Sequence, residues 1–241
     1  LKYSMKVIGI IPSRYGSTRF PGKPLVDILG KSMIQRVYEQ SKKCASLTDV
    51  IVATDDSRIY NHVLGFGGKA EMTSKRHKTG TERCNEVAQN LNTPFDVIVN
   101  IQGDEPLINP LQINEIIQLF DDPKTQIGTL AKKIDDTATL EDENTPKAIF
   151  DTQGNALNFS RKISNIATEF TYYKHIGIYA YKKDVLEKIC QLQESNNEKK
   201  ERLEQLRWLD NNYTIKVGIT NFQTLSVDTP EDIEKIKVQM R

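Results

Sequence analysis

The chain has 241 residues, 33 Lys+Arg against 32 Asp+Glu and a formal net charge of +1, with no basic block, so it lacks the electrostatic footprint of a nucleic-acid binder. Hydrophobic residues at 38% and charged residues at 27% describe a globular chain able to bury a core, and no run approaches the roughly eighteen apolar residues a membrane span needs. Cys44, Cys84 and Cys190 are odd in number and far apart, and the three histidines are scattered, which predicts free thiols and no zinc site. Leu1–Met5 is too short and polar for a signal peptide, and with unpaired cysteines this predicts a cytoplasmic protein.

Lys6–Pro12 is an Ile/Val-rich run closed by a Gly/Pro-rich stretch, the pattern of a buried strand ending in a turn. Ser32–Cys44 has helical spacing through Met33, Val37 and Cys44. Asp49–Ala53 reads as a second buried strand, Asp56–Leu64 and Glu82–Leu91 as helices, and Phe95–Ile101 as a third strand. Pro110–Phe120 is a helix that opens on a proline, a favoured first position. This alternation predicts an α/β fold with a mostly parallel sheet and helices on both faces. Ligands of such sheets bind beyond the C-terminal strand ends, where Ser13–Pro24, Thr54–Asp56 and Gln102–Pro106 fall.

The second half is less regular. Ile127–Lys132, Lys147–Asp151 and Ala156–Phe159 have strand character. Tyr172–Lys182 alternates, with Ile176, Ile178 and Ala180 on one face and Tyr173, His175, Gly177, Tyr179 and Tyr181 on the other. The hydrophilic stretch Gln191–Arg202 reads as a loop leading into a charged helix, Glu198–Asp210, whose apolar stripe is Leu203, Leu206 and Leu209. Ile215–Ile219 is a strand, and Asp228 or Thr229 caps a last helix with Pro230 in its first turn.

Ser13–Pro24 packs cations, glycines and hydroxyls into a turn after a buried strand. Glycines let backbone N–H groups approach an anion, arginines fork onto phosphate oxygens, and Lys23 adds a point charge. Pro24 after Lys23 excludes a Walker A loop, and no G-x-G-x-x-G is present. A solvated basic turn is the competing reading. Asp104, after the third strand, and Asp228, before the last helix, are carboxylates suited to Mg2+, which takes one or two protein acids plus phosphate and water oxygens. A turn residue and a helix cap are the plainer alternatives for these two acids.

Arg14-Tyr15-Gly16-Ser17-Thr18-Arg19-Phe20-Pro21-Gly22-Lys23-Pro24 closely resembles the R-x-x-S-x-R-x-P-G-K-P signature of the 3-deoxy-manno-octulosonate cytidylyltransferase family. In family order follow His77-Lys78-Thr79-Gly80-Thr81-Glu82-Arg83, Asn100–Pro106 with Gln-Gly-Asp-Glu-Pro, Phe159-Ser160-Arg161, Lys174–Tyr179 with His-Ile-Gly-Ile-Tyr, Leu203–Arg207 and Val227–Asp232. The resemblance implies a three-layer Rossmann-like nucleotidyltransferase fold over residues 1–241. Its nucleotide-binding half would be 1–125, and 126–241 would carry smaller sugar-binding and dimerisation elements with the closing metal-ligand helix. It implies a homodimer that joins CTP and 3-deoxy-D-manno-octulosonate (Kdo) with Mg2+, giving CMP-Kdo and pyrophosphate for lipopolysaccharide biosynthesis.

The resemblance also implies roles. Arg14, Ser17, Arg19 and Lys23 bind the triphosphate, and Thr79, Gly80, Thr81 and Arg83 lie near the cytidine. Asp104 and Asp228 carry the metal and, with Lys23, form the catalytic set; Gln102, Arg161, His175, Tyr179, Glu204 and Gln205 line the sugar pocket. The chain departs from the family at Lys162–Ile166 and Glu194–Glu198, both flanking that pocket, so a related sugar acid such as an amino-substituted Kdo stays open as acceptor. A related transferase for another nucleotide, and a catalytically silent nucleotide sensor, are the further alternatives.

Overall fold

The first buried run forms strand β1 (Val7–Ser13), and two two-residue strands, β2 (Asp27–Ile28) and β3 (Lys31–Ser32), make a hairpin behind it. Then come α1 (Met33–Lys42), β4 (Asp49–Thr54), α2 (Ser57–Gly65), β5 (Ala70–Met72), α3 (Gly80–Asn90) and β6 (Val97–Asn100). Polar side chains mark the helix starts as their residue types dictate: Ser32, Asp56 and Thr79 accept from the amides of Gln35, Arg58 and Glu82. The strands pair in parallel in the order β6-β1-β4-β5, and α1, α2 and α3 pack against them. The computed structural model describes residues 5–16, 20–163, 171–223 and 225–240.

The chain folds as two compact units, Leu1–Asn114 with Thr224–Arg241 and Glu115–Gln223. The division thus falls within α4 (Pro110–Gln118), not near residue 125, and the closing helix belongs with the first unit. In the second unit β7 (Ile127–Lys133) is followed by α5 (Thr137–Glu141), β8 (Lys147–Phe150), β9 (Ala156–Ser160) and β10 (Tyr173–Lys182). After these come α6 (Lys183–Ile189), α7 (Asn196–Glu201), α8 (Gln205–Asp210) and β11 (Ile215–Ile219). Here β11 pairs β7 in parallel, while β10 pairs both β7 and β8 antiparallel, so the mostly parallel α/β sheet is mixed.

β10 carries a bulge. Its register jumps from Ile176 opposite Leu130 to Tyr179 opposite Thr129, leaving Gly177 and Ile178 unmatched. Thr129 fills the gap, its hydroxyl donating to the Ile178 carbonyl at 2.8 Å. Two inserted residues keep the period-two alternation, so His175, Tyr179 and Tyr181 stay on one face as the sequence predicts.

The stretch Gln191–Arg202, expected as a loop, contains α7, and the helix expected to follow it is also laid out differently. Glu198–Asp210 is not a single helix: it breaks at Arg202, which takes a left-handed conformation (φ 54°) between α7 and α8. The cause is a bond between residues nine apart. Glu198 pairs with Arg207 through two hydrogen bonds, at 2.7 and 2.5 Å. In a continuous helix those positions would face opposite sides about 13.5 Å apart along the axis.

The last element, α9 (Pro230–Gln239), has Thr229 at its N-cap and Pro230 at its first position. Thr229, not Asp228, is therefore the cap. Asp232 reaches back and accepts from the amides of both Asp228 and Thr229, at 3.1 and 3.0 Å. Ile233 and Ile236 of α9 bury themselves with Val227 against Ile28 and Met33 of the hairpin region. Each such side chain contributes roughly 1.5–3 kcal/mol. This cluster anchors the C-terminal segment to the first unit.

The β2–β3 hairpin turns through Leu29 and Gly30, at φ 51° and 81°, the signature of a type I′ turn. Leu29 is 44% exposed, and Arg36 holds its carbonyl, not its side chain. Leu29→Asn, which suits this backbone, should therefore stabilise the protein by about 1 kcal/mol. The check is the thermal midpoint, and an unchanged or lowered value would contradict the turn assignment.

Candidate active site

The ends of β1 and β6 and the start of α3 converge on a cleft of about 270 Å³ in the first unit. Arg14 and Lys23 line it from the loop after β1, Gln102, Gly103 and Asp104 from the loop after β6, and Thr79, Gly80 and Arg83 from α3 and its cap. Asp228 lines it from the segment before α9. Backbone packing makes the convergence tight: a Cβ on Gly103 would stand 2.9 Å from the Pro12 carbonyl oxygen, so only glycine lets the two loops meet. Gly22, at φ 72°, donates its amide to the Tyr15 carbonyl at 3.0 Å and closes the first loop upon itself.

Lys23 is the hub. Its ammonium donates to Asp104 Oδ2 at 2.8 Å and to the Val227 carbonyl at 2.7 Å, and the Val227 amide donates in turn to the Asp104 carbonyl at 2.9 Å. One cation thereby sets both expected metal acids into the same cleft. Arg83 is buried, its guanidinium bonded to Asp55 at 3.0 Å and to the Thr73 hydroxyl. It stiffens the cleft wall by joining α3 to the ends of β4 and β5. Thr79 spends its hydroxyl capping α3, and Thr81 is buried in the first turn of that helix. Ser17 and Arg19 lie outside the described residues.

The cleft-lining and wall residues that were not among the expected site positions include His77, Lys78 and Asp55. His77 bonds Glu86 through Nε2 and has Glu82 3.7 Å from Nδ1. Partial burial pushes the Glu86 carboxyl up, but the Ser74 amide and His77 outweigh it and hold its pKa below the usual value, so Glu86 is an anion. The His-Lys-Thr-Gly-Thr-Glu-Arg run was the available signal, since the cleft begins two residues before Thr79.

The other expected sugar residues lie in the second unit. His175 and Tyr179 pack ring to ring, centroids 5.4 Å apart, with Phe159 against His175 and Trp208 against Tyr179. Burial, with the Glu204 carboxylate adding to it, pushes the Tyr179 phenol well above its ordinary pKa. Glu204 caps α8 beside it, and Gln205 is 3% exposed with its Nε2 unpartnered among the described residues. Arg161 is anchored by Nε, which donates to the Glu201 carbonyl at 2.9 Å. Among the described residues its two terminal nitrogens reach long contacts of 3.4–3.5 Å to carbonyls of Glu143, Asn144 and Arg202, at the weak limit of hydrogen bonding. The stem is fixed and the fork is exchangeable.

A sequence profile described as cytidylyltransferase matches residues 8–217. The 3-deoxy-manno-octulosonate cytidylyltransferase of Parabacteroides distasonis is 53% identical, covering 96% of each chain, and that of Bacteroides thetaiotaomicron 51%, covering 95% of this chain and 96% of the other. The chain belongs to the 3-deoxy-manno-octulosonate cytidylyltransferases. It is thus an enzyme of the nucleotidyltransferase class. A solved CMP:2-keto-3-deoxy-manno-octonic acid synthetase complexed with CTP superposes with a TM-score of 0.91 at 42% identity, covering 98% of both chains. The 4-diphosphocytidyl-2C-methyl-D-erythritol synthase of Anaerococcus prevotii, at 12% identity and a TM-score of 0.68, shares the fold alone. Of the two departures from the family pattern, residues 164–166 of the first lie outside the described residues, and the second, Glu194–Glu198, contains the α7 cap.

His175 has a defined chemistry in this cytidylyltransferase. Thr129 spends its hydroxyl proton on the Ile178 carbonyl, so it accepts from His175 Nε2–H at 2.9 Å and leaves Nδ1 as the acceptor. Burial pushes the His175 pKa down from 6.5 to about 3, so the ring is neutral at pH 7. It can accept from a hydroxyl but cannot supply positive charge to a carboxylate. Because the folded pKa is depressed, the unfolded chain binds the extra proton between pH 6.5 and about 3, and stability falls as pH falls through that window. His175→Gln should flatten this dependence by up to about 1.4 kcal/mol per pH unit, read by denaturant unfolding at pH 7 and pH 5. Identical slopes for the two proteins would refute a buried neutral histidine.

Proposed function

We propose that the chain transfers CMP from CTP to the anomeric hydroxyl of Kdo, releasing CMP-Kdo and pyrophosphate. The observation that carries this is the Lys23-centred cleft, where a cation, two carboxylates and a basic loop meet at the ends of parallel strands in a chain 53% identical to a named cytidylyltransferase. The hydroxyl oxygen forms a bond to the α-phosphorus, the bond to the bridging oxygen of pyrophosphate breaks, and the hydroxyl proton is lost to solvent or a phosphate oxygen. Arg14, Arg19 and Lys23 neutralise the triphosphate, with Ser17 as a hydrogen-bond partner, so that an electron-rich oxygen can approach it.

The donor set fits Mg2+. Asp104 and Asp228 are hard oxygen donors lining one cleft, and no group of three His, Cys, Asp or Glu ligands occurs among the described residues. That matches an ion that completes its shell with phosphate and water. When bound, the ion supplies charge neutralisation at the α-phosphate and lowers the pKa of a coordinated hydroxyl. Asp104 and Lys23 neutralise each other in the structure, so a bound nucleotide and ion draw on the same two charges.

For the acceptor we assign Gln102, Arg161, His175, Tyr179, Glu204 and Gln205, with neutral His175 reading a hydroxyl and Arg161 the carboxylate. The product would enter lipopolysaccharide biosynthesis in the cytoplasm, in keeping with three free cysteines, and the enzyme would work as a homodimer. No described helix is long and apolar enough to cross a membrane.

Incubation with CTP, Kdo and Mg2+ should release pyrophosphate, and Asp104→Asn should lower kcat by more than about a hundredfold with an unchanged circular dichroism spectrum. Near-normal turnover by that variant would remove Asp104 from the metal site. Release with an amino-substituted Kdo but not with Kdo would move the assignment to that acceptor.

A further inference from the structure

Three assigned sugar residues of the second unit, Arg161, Glu204 and Gln205, adjoin one segment that the reaction itself does not use. We propose that Ser195–Arg202, built around α7, is a positioning strap that sets the acceptor-sugar residues, with Glu198, Glu201 and Arg207 as its positioning residues. The proposal rests on the functional reading above and adds to it where sugar affinity is controlled.

Glu198 is the strap's inner clasp. Its carboxylate accepts from the Ser195 amide at 3.2 Å and takes Arg207 in a two-point bond at 2.7 and 2.5 Å, with side chains only 8% and 11% exposed. Arg207 also donates to the Leu192 carbonyl at 3.2 Å. The clasp holds the first turns of α8, where Glu204 and Gln205 sit, and forces the break at Arg202 that starts α8 at that point. A buried ion pair of this kind adds little net stability over a packed apolar pair, because desolvation offsets the attraction. What it supplies is a fixed orientation.

Glu201 is the outer clasp. Its carboxylate accepts from the Arg161 amide at 2.9 Å and from the Ser160 hydroxyl at 3.3 Å, and its carbonyl takes Arg161 Nε at 2.9 Å. One short segment thus fixes the stem of Arg161 on one side and the start of α8 on the other. Gln205 points to a ligand independently: its Nε2 is buried without a partner among the described residues, a donor whose desolvation is offset only when an acceptor arrives. A polyol supplies such an acceptor. The strap also coincides with Glu194–Glu198, where this chain departs from its family pattern.

The test compares steady-state KM for Kdo and for CTP in the wild-type enzyme, Glu201→Ala and the paired variant Glu198→Met with Arg207→Met. The paired change removes both charges together, so it avoids leaving one buried ion unpaired. Both proteins should melt close to the wild type and keep KM for CTP within about twofold, while KM for Kdo rises about tenfold or more, the loss of one oriented hydrogen bond. If KM for Kdo stays at the wild-type value, or both KM values rise together, the strap is only structural and the proposal falls. Should the paired variant fail to fold, Glu201→Ala alone decides between these outcomes. A wild-type enzyme that releases pyrophosphate with no sugar acid would instead overturn the functional reading itself, and the strap with it.

Discussion

The candidate site depends on one ammonium group. Lys23 Nζ joins Asp104 and the Val227 carbonyl, the latter 204 residues away in sequence. It acts together with the backbone bond from the Val227 amide to the Asp104 carbonyl to hold Asp104 and the segment carrying Asp228 in register. The position is over-determined from behind. The α9 cluster with Ile28 and Met33 buries Val227, while Asp232 secures the amides of Asp228 and Thr229. The Lys235 ammonium, against some burial and with those two amides, holds the Asp232 carboxyl down to about 2, so this brace is an anion at neutral pH. Apolar packing sets the distance, and hydrogen bonds set the direction.

The same division of labour explains why so few charges in the cleft are free to do one thing only. Arg83 is a wall strut between α3, Asp55 and Thr73, and Thr79 is a helix cap, yet both line the space in which a nucleotide would lie. A residue can carry both duties when its side chain is fixed by one partner and still presents a polar edge. Preorganisation of this sort lowers the cost of ordering the site at the moment of binding.

Much of the first unit was legible because its signals are local. Val7–Ser13, Asp49–Thr54 and Val97–Asn100 are continuous Ile/Val-rich runs buried on both faces, and Ser32 and Asp56 open the helices that follow, while α3 begins at Gly80, two residues before the expected Glu82. The β2–β3 hairpin was not legible, because its first left-handed position is Leu29 where Asn or Asp would have marked the turn. The break at Arg202 was hidden for the same reason: no glycine stands there, and the helical spacing of Leu203, Leu206 and Leu209 lies wholly after it. Only the Glu198–Arg207 bond, invisible in a linear pattern, decides the matter. The cleft residues were legible as a set because strand ends collect ligand groups. The pairing of Lys23 with Asp104 was not, since it joins residues 81 apart.

The acceptor side follows a different logic from the nucleotide side. Among the assigned sugar residues, burial makes His175 neutral and keeps the Tyr179 phenol protonated, so neither carries charge. Gln102 and Gln205 carry none, and Glu204 is an acid. Arg161 is therefore the one cation in that set able to meet a sugar carboxylate. Its geometry suits the duty: a firm bond at Nε, long contacts at the fork, and a carboxylate acceptor that would outcompete neutral carbonyls for the terminal N–H groups. Under the proposed assignment, selectivity for an acid over a neutral sugar would rest on a single guanidinium, and discrimination among hydroxyl patterns on neutral donors and acceptors. A substituent that replaces a hydroxyl by an ammonium would bring a second positive charge into this set, where Glu204 is the only anion to receive it.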